Sequence, residues 1–365
     1  MKKLISFIPH PPSFEICTGL LFRLHQRGNV AVEAIVGKRL IKTDPRILPL
    51  FERSGMPFKV ASPIGLELLS LPRMLRADAV LAHTDPVAYY KRIRPRDTVI
   101  PKMKVPLIFM QHGMNQLSLN YTRDNIIKNY YAQKFLLWDD LPSNMKEITH
   151  EDIRPRSSVV GFQKKNLLPA FPGAAEMTEI CAAYRQIVLI CHNYGSERLH
   201  DGAKYTHARD YMGKMVAANP DRLFILRSHR SRNLDGHKDL DTDLAETFDN
   251  VLLSDRHSGP LKWAGVHDVM DHADMVISHP STVVLDAVYR KLPLAIIDTE
   301  MHRIGENADK IAHLPVISDA DSAQAFLDGE TWRDEMFQPI LDRYGPDLDT
   351  NIDRAAVAVE EFLNR

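Results

Sequence analysis

One stretch of sequence, MVISHPST at residues 275–282, decides the predicted fold. Its first four residues are uncharged and mostly apolar, which is typical of a buried parallel strand. Pro280 cannot continue a strand, and Ser281 and Thr282 are residue types that favour the start of a helix. The stretch therefore predicts a strand that passes directly into a helix, the repeating unit of α/β proteins.

The same alternation of short apolar runs with amphipathic segments extends along most of the chain. Strands are predicted at Leu4–Ile8, Val30–Val36, Ala79–Ala82, Leu107–Met110, Ile187–Cys191, Leu223–Leu226, Val251–Leu253, Met275–Ser278 and Leu294–Ile297. Helices are predicted at Glu15–Arg27, Pro86–Arg92, Tyr205–Ala218, Lys238–Phe248, Thr282–Arg290 and Ala355–Leu363. This order predicts parallel sheets that are covered by helices on both faces.

The chain is long enough for two domains, because its 365 residues exceed the roughly 250–300 that one core organises. The alternation weakens between about Arg154 and Glu176, where three prolines and a glycine fall close together. We therefore predict an α/β protein of two facing Rossmann-like domains, residues 1–170 and 171–365. The last helix is expected to cross back to the first domain.

Composition excludes several classes of protein. The 46 Lys and Arg residues balance 47 Asp and Glu residues, so a general nucleic-acid binder is not expected. Three cysteines without a CxxC pair predict neither a disulfide framework nor a zinc finger. No apolar stretch is long enough to span a membrane. We expect a cytoplasmic protein. One basic run is either a solvated surface or a site of peripheral contact with the inner face of the membrane. That run contains Lys91, Arg92, Arg94 and Arg96.

Polar residues that directly follow strands are the candidates for chemistry, since ligands of open α/β sheets bind outside the carboxyl ends of the strands. Ser281 and Thr282 offer two hydroxyls where a helix begins, which suits a phosphate, although the same residues cap helices that bind nothing. Arg227 and His229 directly follow the predicted strand Leu223–Leu226 of the second domain. Both could donate hydrogen bonds to one phosphate. Alternatively, they are solvated loop residues.

His112 follows a strand of the first domain and precedes a glycine. That position suits a general base for an acceptor hydroxyl, although a lone histidine is more often structural. A weaker nucleotide contact is predicted where the first strand of the second domain ends, at Asn193, Gly195 and Ser196. The chain has no GxGxxG, P-loop or GxSxG motif and no close Cys and His set, so neither a cofactor nor a metal is expected.

In combination these elements resemble the GT-B glycosyltransferases, and among them the CDP-glycerol glycerophosphotransferase-like enzymes of teichoic acid and capsule synthesis. The segments that carry the resemblance are QHG at 111–113, RSH at 227–229 and ADMVISHPST at 273–282. Asp286 falls where that family has an acidic residue in the next helix, and KLP at 291–293 is similar to its Gly-Lys-Pro turn. Arg230 and Thr282 depart from the proline and the second serine of the family pattern.

Bacterial sialyl- and Kdo-transferases that use CMP-sugars share the His-Pro and Ser-Ser or Ser-Thr elements, so the resemblance implies a cytidine nucleotide donor. It implies that a sugar or alditol-phosphate group is transferred to a glycan or polyol-phosphate acceptor, with His112 as the base. The donor phosphates would be held by Arg227, His229, Ser281 and Thr282, and His279 and Asp286 would make weaker nucleotide contacts. Two alternatives stay open: a sugar-nucleotide epimerase of similar fold, and a non-catalytic binding protein of polysaccharide assembly.

Overall fold

The computed structural model describes residues 1–66, 70–84, 100–102, 104–114, 130–140, 153–192, 202–228, 240–254, 259–298 and 308–365. The chain forms two compact units. Unit 1 comprises Met1–Pro169 and Leu341–Arg365, and unit 2 comprises Ala170–Ile340. The chain thus leaves unit 1 once and returns to it for its last 25 residues, whereas unit 2 is one continuous segment.

Unit 1 is built on a sheet of seven parallel strands in the order β3-β2-β1-β4-β5-β6-β7. The strands are β1 (Lys3–Ile8), β2 (Ala31–Gly37), β3 (Phe58–Ala61), β4 (Ala79–Ala82), β5 (Leu107–Met110), β6 (Lys134–Leu137) and β7 (Ser157–Val159). Its first helices are α1 (Pro11–Arg27), α2 (Lys38–Thr43), α3 (Ile47–Ser54) and α4 (Leu71–Met74), and a 3-10 turn spans Arg154–Arg156. The central strands are almost fully buried, as strands covered on both faces are.

Unit 2 contains a sheet of six parallel strands in the order β10-β9-β8-β11-β12-β13. These strands are β8 (Gln186–His192), β9 (Arg222–Ser228), β10 (Val251–Leu253), β11 (Met275–Ser278), β12 (Leu294–Ile297) and β13 (Val316–Ile317). The helices of unit 2 are α5 (Ala174–Cys181), α6 (Gly202–Ala218), α7 (Leu240–Thr247), α8 (Val266–Met270), α9 (Thr282–Val288), α10 (Ala308–Ile311) and α11 (Ala320–Leu327), with a 3-10 turn at Asp334–Phe337. Both sheets therefore have the parallel, helix-covered architecture that the sequence predicts.

The returning segment, Leu341–Arg365, contains the end of α12 (Gln338–Tyr344) and all of α13 (Leu348–Leu363). The boundary between unit 2 and this segment lies within α12, after Ile340. Helix α13 packs on α1, where the Arg27 guanidinium donates two hydrogen bonds to the Glu360 carboxylate at 2.8 and 2.9 Å. The fully buried Asn351 amide donates to the backbone carbonyls of Phe162 and Tyr344, both at 2.9 Å. The bonds of Glu360 with Arg27 and of Asn351 with Phe162 join the last segment of the chain to the first segment within unit 1.

The nine predicted strands are confirmed to within one residue at each end, except that β9 extends two residues beyond the predicted Leu226 to Ser228. Helix α1 begins at Pro11 rather than at Glu15, because proline is tolerated in the first turn, where backbone N–H groups have no helical partner. Helix α13 begins at Leu348 rather than at Ala355, because the Asp347 carboxylate accepts the Thr350 N–H and caps it. The sequence analysis missed four strands of two to four residues, namely β3, β6, β7 and β13.

In the described part of the chain, no helix is both long enough and apolar enough to cross a membrane. The predicted helix Pro86–Arg92 and the basic residues Lys91, Arg92, Arg94 and Arg96 lie outside the described residues. The membrane contact of that basic run stays a prediction.

Candidate functional site

The carboxyl ends of the unit 2 strands, called here the unit 2 edge, carry three of the predicted phosphate ligands, Arg227, Ser281 and Thr282. In the strand register Arg227 lies beside Cys191, and Cys191 lies beside Ser278. In-register residues of parallel strands project from the same face of the sheet, and two strand spacings separate Arg227 from Ser278 by roughly 10 Å. Arg227 and Ser278 therefore lie at the same height along their strands. The segment that begins with Ser278 lies at the same edge of the sheet as Arg227.

Arg227 is partly exposed near the end of β9. Its Nη1 donates a hydrogen bond of 2.5 Å to the Ser254 hydroxyl, which directly follows the neighbouring strand β10. This contact fixes one side of the guanidinium against the sheet. A planar group with five N–H donors can hold such a contact and still present others.

Ser281 caps helix α9, since its hydroxyl oxygen accepts the Val283 backbone N–H at 3.2 Å. The Ser278 hydroxyl donates to the His279 carbonyl at 2.8 Å, and its oxygen lies 3.5 Å from the Ser281 oxygen. The Ser281 oxygen acts as an acceptor in the cap, so its hydroxyl proton can be donated to the Ser278 oxygen or to a ligand. Ser281 and Thr282 are both partly exposed, so a ligand could reach their hydroxyls.

His279 continues the sheet one residue beyond β11, with its backbone N–H donating to the Cys191 carbonyl at 3.0 Å. The ring is buried, and burial, with the neighbouring charge of His192 as a second cause, lowers the pKa of His279 to about 3. At neutral pH this imidazole is uncharged. The nucleotide contact expected of His279 stays a prediction, and it would involve a neutral ring rather than a cation.

The sequence analysis gave no role to the buried pair His192 and Asp241. His192 ends β8, Asp241 lies in the first turn of α7, and His192 Nε2 hydrogen-bonds to the Asp241 carboxylate. Both side chains are fully enclosed. The signal that could have found them is a histidine at the end of a buried strand together with an aspartate at the start of a later helix.

Asp286 is completely buried on α9, and its Oδ1 lies 3.6 Å from Nε2 of His267 on α8. The carboxylate thus faces another helix of unit 2 inside the protein. The nucleotide contact expected of Asp286 stays a prediction. His229, Asn193, Gly195 and Ser196 lie outside the described residues, and so do their expected contacts.

In unit 1 the corresponding carboxyl ends, the unit 1 edge, carry His112. Its backbone is fixed by the neighbouring Gln111, which is buried. The Gln111 side chain donates to the Gly113 carbonyl at 3.0 Å and accepts the Trp138 N–H at 2.9 Å. The turn that carries His112 is therefore tied to the end of β6.

Burial lowers the pKa of His112 to about 4, although a hydrogen bond with the His83 backbone acts in the opposite direction. The ring is thus unprotonated at neutral pH and can accept a proton. It also stays partly exposed, so a substrate group can reach it. These are two properties that a general base requires.

Two further histidines pack in a row with His112, and sequence reasoning missed both. The ring of His83 lies 4.9 Å from that of His10 and 5.0 Å from that of His112, between ring centroids. The interplanar angles are 87° and 81°, so each pair meets edge to face. The three residues, called here the histidine row, follow the adjacent strands β1, β4 and β5. Their common signal in the sequence is a histidine one or two residues after a buried strand.

The row is an aromatic packing arrangement. Within the ranges given above for the structure, no three His, Cys, Asp or Glu side chains are placed to hold a metal ion together.

No protein-family model and no curated protein sequence matches the chain. Solved structures do match along its whole length. The S. aureus MnaA-UDP co-structure has a TM-score of 0.64 at 11% identity, covering 100% of this chain and 97% of that one. UDP-GlcNAc 2-epimerase from Neisseria meningitidis bound to UDP-GlcNAc gives 0.60 at 14% identity, with both chains fully covered.

The wall teichoic acid polymerase TagF gives a TM-score of 0.52 at 10% identity, covering 100% of this chain and 88% of that one. At such low identities the likeness concerns the fold. The chain has the two-domain α/β fold of the GT-B glycosyltransferases and of the epimerases similar to them.

Proposed function

We propose that the protein is a GT-B transferase that moves a sugar or alditol-phosphate group from a cytidine nucleotide donor to a glycan or polymer acceptor of the cell surface. The observation that carries the proposal is the shared edge of Arg227 and the Ser281–Thr282 pair in unit 2. That edge combines a cation with hydroxyl donors at the position where α/β proteins bind nucleotides.

In this proposal the unit 2 edge holds the donor phosphates. Arg227 offers a planar fork that matches phosphate oxygens, and Ser281 and Thr282 donate their hydroxyl protons. These groups stabilise the negative charge that the leaving nucleotide gains as its bond to the transferred group breaks. These side chains, and not the terminus of the seven-residue helix α9, make the proposed phosphate contacts.

The unit 1 edge supplies the base. His112 removes the proton of the acceptor hydroxyl while the acceptor oxygen forms its bond to the donor carbon or phosphorus. The bond from that atom to the nucleotide breaks, and the nucleotide leaves with the electron pair. A general base of this kind contributes roughly 10²–10⁴-fold to the rate.

A second candidate is a sugar-nucleotide epimerase, which is supported by the likeness to the Neisseria UDP-GlcNAc 2-epimerase and to MnaA with bound UDP. An epimerase needs one nucleotide sugar and no acceptor. Incubation with UDP- or CMP-sugars alone would yield an epimer in that case. A transferase would convert its donor only after an acceptor is added.

The donor site is tested by calorimetry with CMP, CDP and UDP. Replacing Ser281 and Thr282 by alanine, or Arg227 by lysine, is expected to weaken nucleotide binding about 10- to 100-fold, as the loss of hydrogen bonds to a charged group does. Arg185→Lys is the matched control, since Arg185 belongs to unit 2 but forms an exposed ion pair with Asp221. A CDP affinity that is the same in all variants would refute the donor site. Tighter binding of UDP than of CMP or CDP would indicate a uridine donor instead of a cytidine donor.

The base is tested with His112→Gln. We expect this variant to bind nucleotide as the parent protein does and to lose at least about 100-fold in turnover. Equal loss of binding and turnover would show that His112 supports the structure only.

A further inference from the structure

The ring of His83 is enclosed between two other imidazoles, with only 6% of the residue exposed. One of them, His112, is the proposed base, and the ring centroids of the pair are 5.0 Å apart at 81°. The other, His10, approaches from the opposite neighbour in the sheet at 4.9 Å and 87°. His83 thus touches the proposed base while its own ring is closed off from solvent.

The strand register explains why the three rings meet. Ser6 pairs with Leu81 and Ala82 pairs with Phe109, so continuing both ladders sets His83 level with Ile8 and Met110. His10 and His112 come two residues after Ile8 and Met110. Because side chains alternate between faces, residues two apart tend to project from the same face. All three imidazoles therefore leave the sheet on one side.

A base must present one particular nitrogen to the proton that it removes. An imidazole can turn about its last side-chain bond, and a half-turn exchanges the positions of Nδ1 and Nε2. The bonds of Gln111 to Gly113 and Trp138 fix the backbone of His112, and a hydrogen bond between its ring and the His83 backbone opposes the half-turn. The edge-to-face contact with the His83 ring supports the same orientation by restricting the plane of the His112 ring.

From this packing we infer that His83 is a positioning residue, which holds the His112 ring in the orientation that presents its unprotonated nitrogen to the acceptor. The inference rests on the proposed role of His112. His10 completes the arrangement by enclosing the far side of His83, and Ser13 in turn contacts His10, with its hydroxyl oxygen 3.4 Å from the Nδ1 of that ring.

The test compares two variants of His83 that preserve side-chain volume. His83→Phe keeps an aromatic ring against His112, whereas His83→Leu removes it. His272→Phe is the control, because His272 is a partly exposed histidine of unit 2 that makes its own edge-to-face contact with Phe171. All variants are first compared by circular dichroism and thermal unfolding.

The first measurement is NMR of ¹⁵N-labelled imidazoles in the protein without substrate, with the His112 signals assigned from His112→Gln. We expect His83→Leu to change the Nδ1 and Nε2 shifts of His112, and His83→Phe and His272→Phe to leave them as in the parent protein. Unchanged shifts in His83→Leu, or equal changes in both His83 variants, would overturn the inference. This result does not depend on any substrate, so it is distinct from a failure of the proposed function.

The second measurement is steady-state turnover with the donor and acceptor found above. Misplacing a reacting group by about 1 Å costs on the order of 100-fold in rate, so we expect His83→Leu to lower kcat about 10- to 100-fold with little change in KM. His83→Phe should restore most of the loss. A rise in KM at unchanged kcat would instead assign His83 to substrate binding and overturn the positioning role.

Discussion

The two units place histidines at equivalent points of equivalent sheets but give them different partners. In the strand orders β3-β2-β1-β4-β5 and β10-β9-β8-β11-β12, strand β1 corresponds to β8 and β4 to β11. His10 and His83 follow the first pair of strands, and His192 and His279 stand at the ends of the second pair. The difference lies in the partner, since His192 bonds to the buried carboxylate of Asp241 whereas His83 packs between two rings.

This comparison shows that the fold places histidines at the ends of corresponding strands. The side chains that contact each histidine then determine its chemical properties. The hydrogen bond between His192 and the Asp241 carboxylate ties the end of β8 to the start of α7. Burial keeps His112 neutral at neutral pH, and the same effect weakens the ring as a base. Under the proposed function, the unit 2 edge would hold the donor anion and the unit 1 edge would remove the acceptor proton.

The largest expected effect comes from breaking the buried pair of unit 2. Asp241→Ala removes the carboxyl group to which the enclosed His192 is hydrogen-bonded, and losing a buried hydrogen bond to such a group costs about 3 kcal/mol. Asp243→Ala is the control, because Asp243 lies in the same helix turn but pairs with the exposed Arg209. Its loss should cost at most about 1 kcal/mol.

Urea unfolding of both variants measures the difference. Similar free energies of unfolding for Asp241→Ala and Asp243→Ala would mean that the pair is not the tie between β8 and α7. The contrast between the partners of the histidines at the two edges would then fail.

The second prediction concerns unit 1, which is assembled from two pieces of chain whereas unit 2 is continuous. Asn351→Ala removes both hydrogen bonds to the carbonyls of Phe162 and Tyr344 and should lower the free energy of unfolding by about 2–3 kcal/mol. Asn364→Ala, at the exposed end of the same helix, should change it by less than about 0.5 kcal/mol. Equal effects of the two changes would show that the join does not depend on Asn351.

The smallest effect is a pH dependence that both edges share. His112 and His279 have pKa values near 4 and 3 in the folded protein, below the roughly 6.5 of an unfolded histidine. The unfolded chain therefore binds protons first as the pH falls. The stability that each neutral ring contributes is complete above about pH 6.5 and is lost toward pH 4 for His112 and pH 3 for His279.

Between pH 6.5 and 5.5 each histidine should account for about 1 kcal/mol of lost stability. His112→Asn and His279→Asn should each reduce that loss by this amount, as measured by urea unfolding at the two pH values. A reduction in only one variant would locate the acid sensitivity in one unit. If neither variant reduces it, then neither ring is held neutral by burial.

Much of the fold could be predicted because its signals are local. An apolar run of four to seven residues, a proline that ends it and a hydroxyl residue that starts a helix are written in adjacent positions, as in MVISHPST at residues 275–282. The rule that ligands bind beyond the carboxyl ends of strands then directed attention to Arg227, Ser281 and His112. Strands such as β13, with two residues, carry too few positions for a pattern to appear.

The sequence by itself determined the α/β class, the strands of both sheet centres and the polar residues at their ends, because those features depend on neighbours along the chain. Only the tertiary structure decided that His83 lies between His10 and His112, that Asp241 reaches His192, and that Asn351 bonds to Phe162. Each of these facts joins residues far apart in sequence. They follow from strand order, register and helix packing, which no local pattern of residue types specifies.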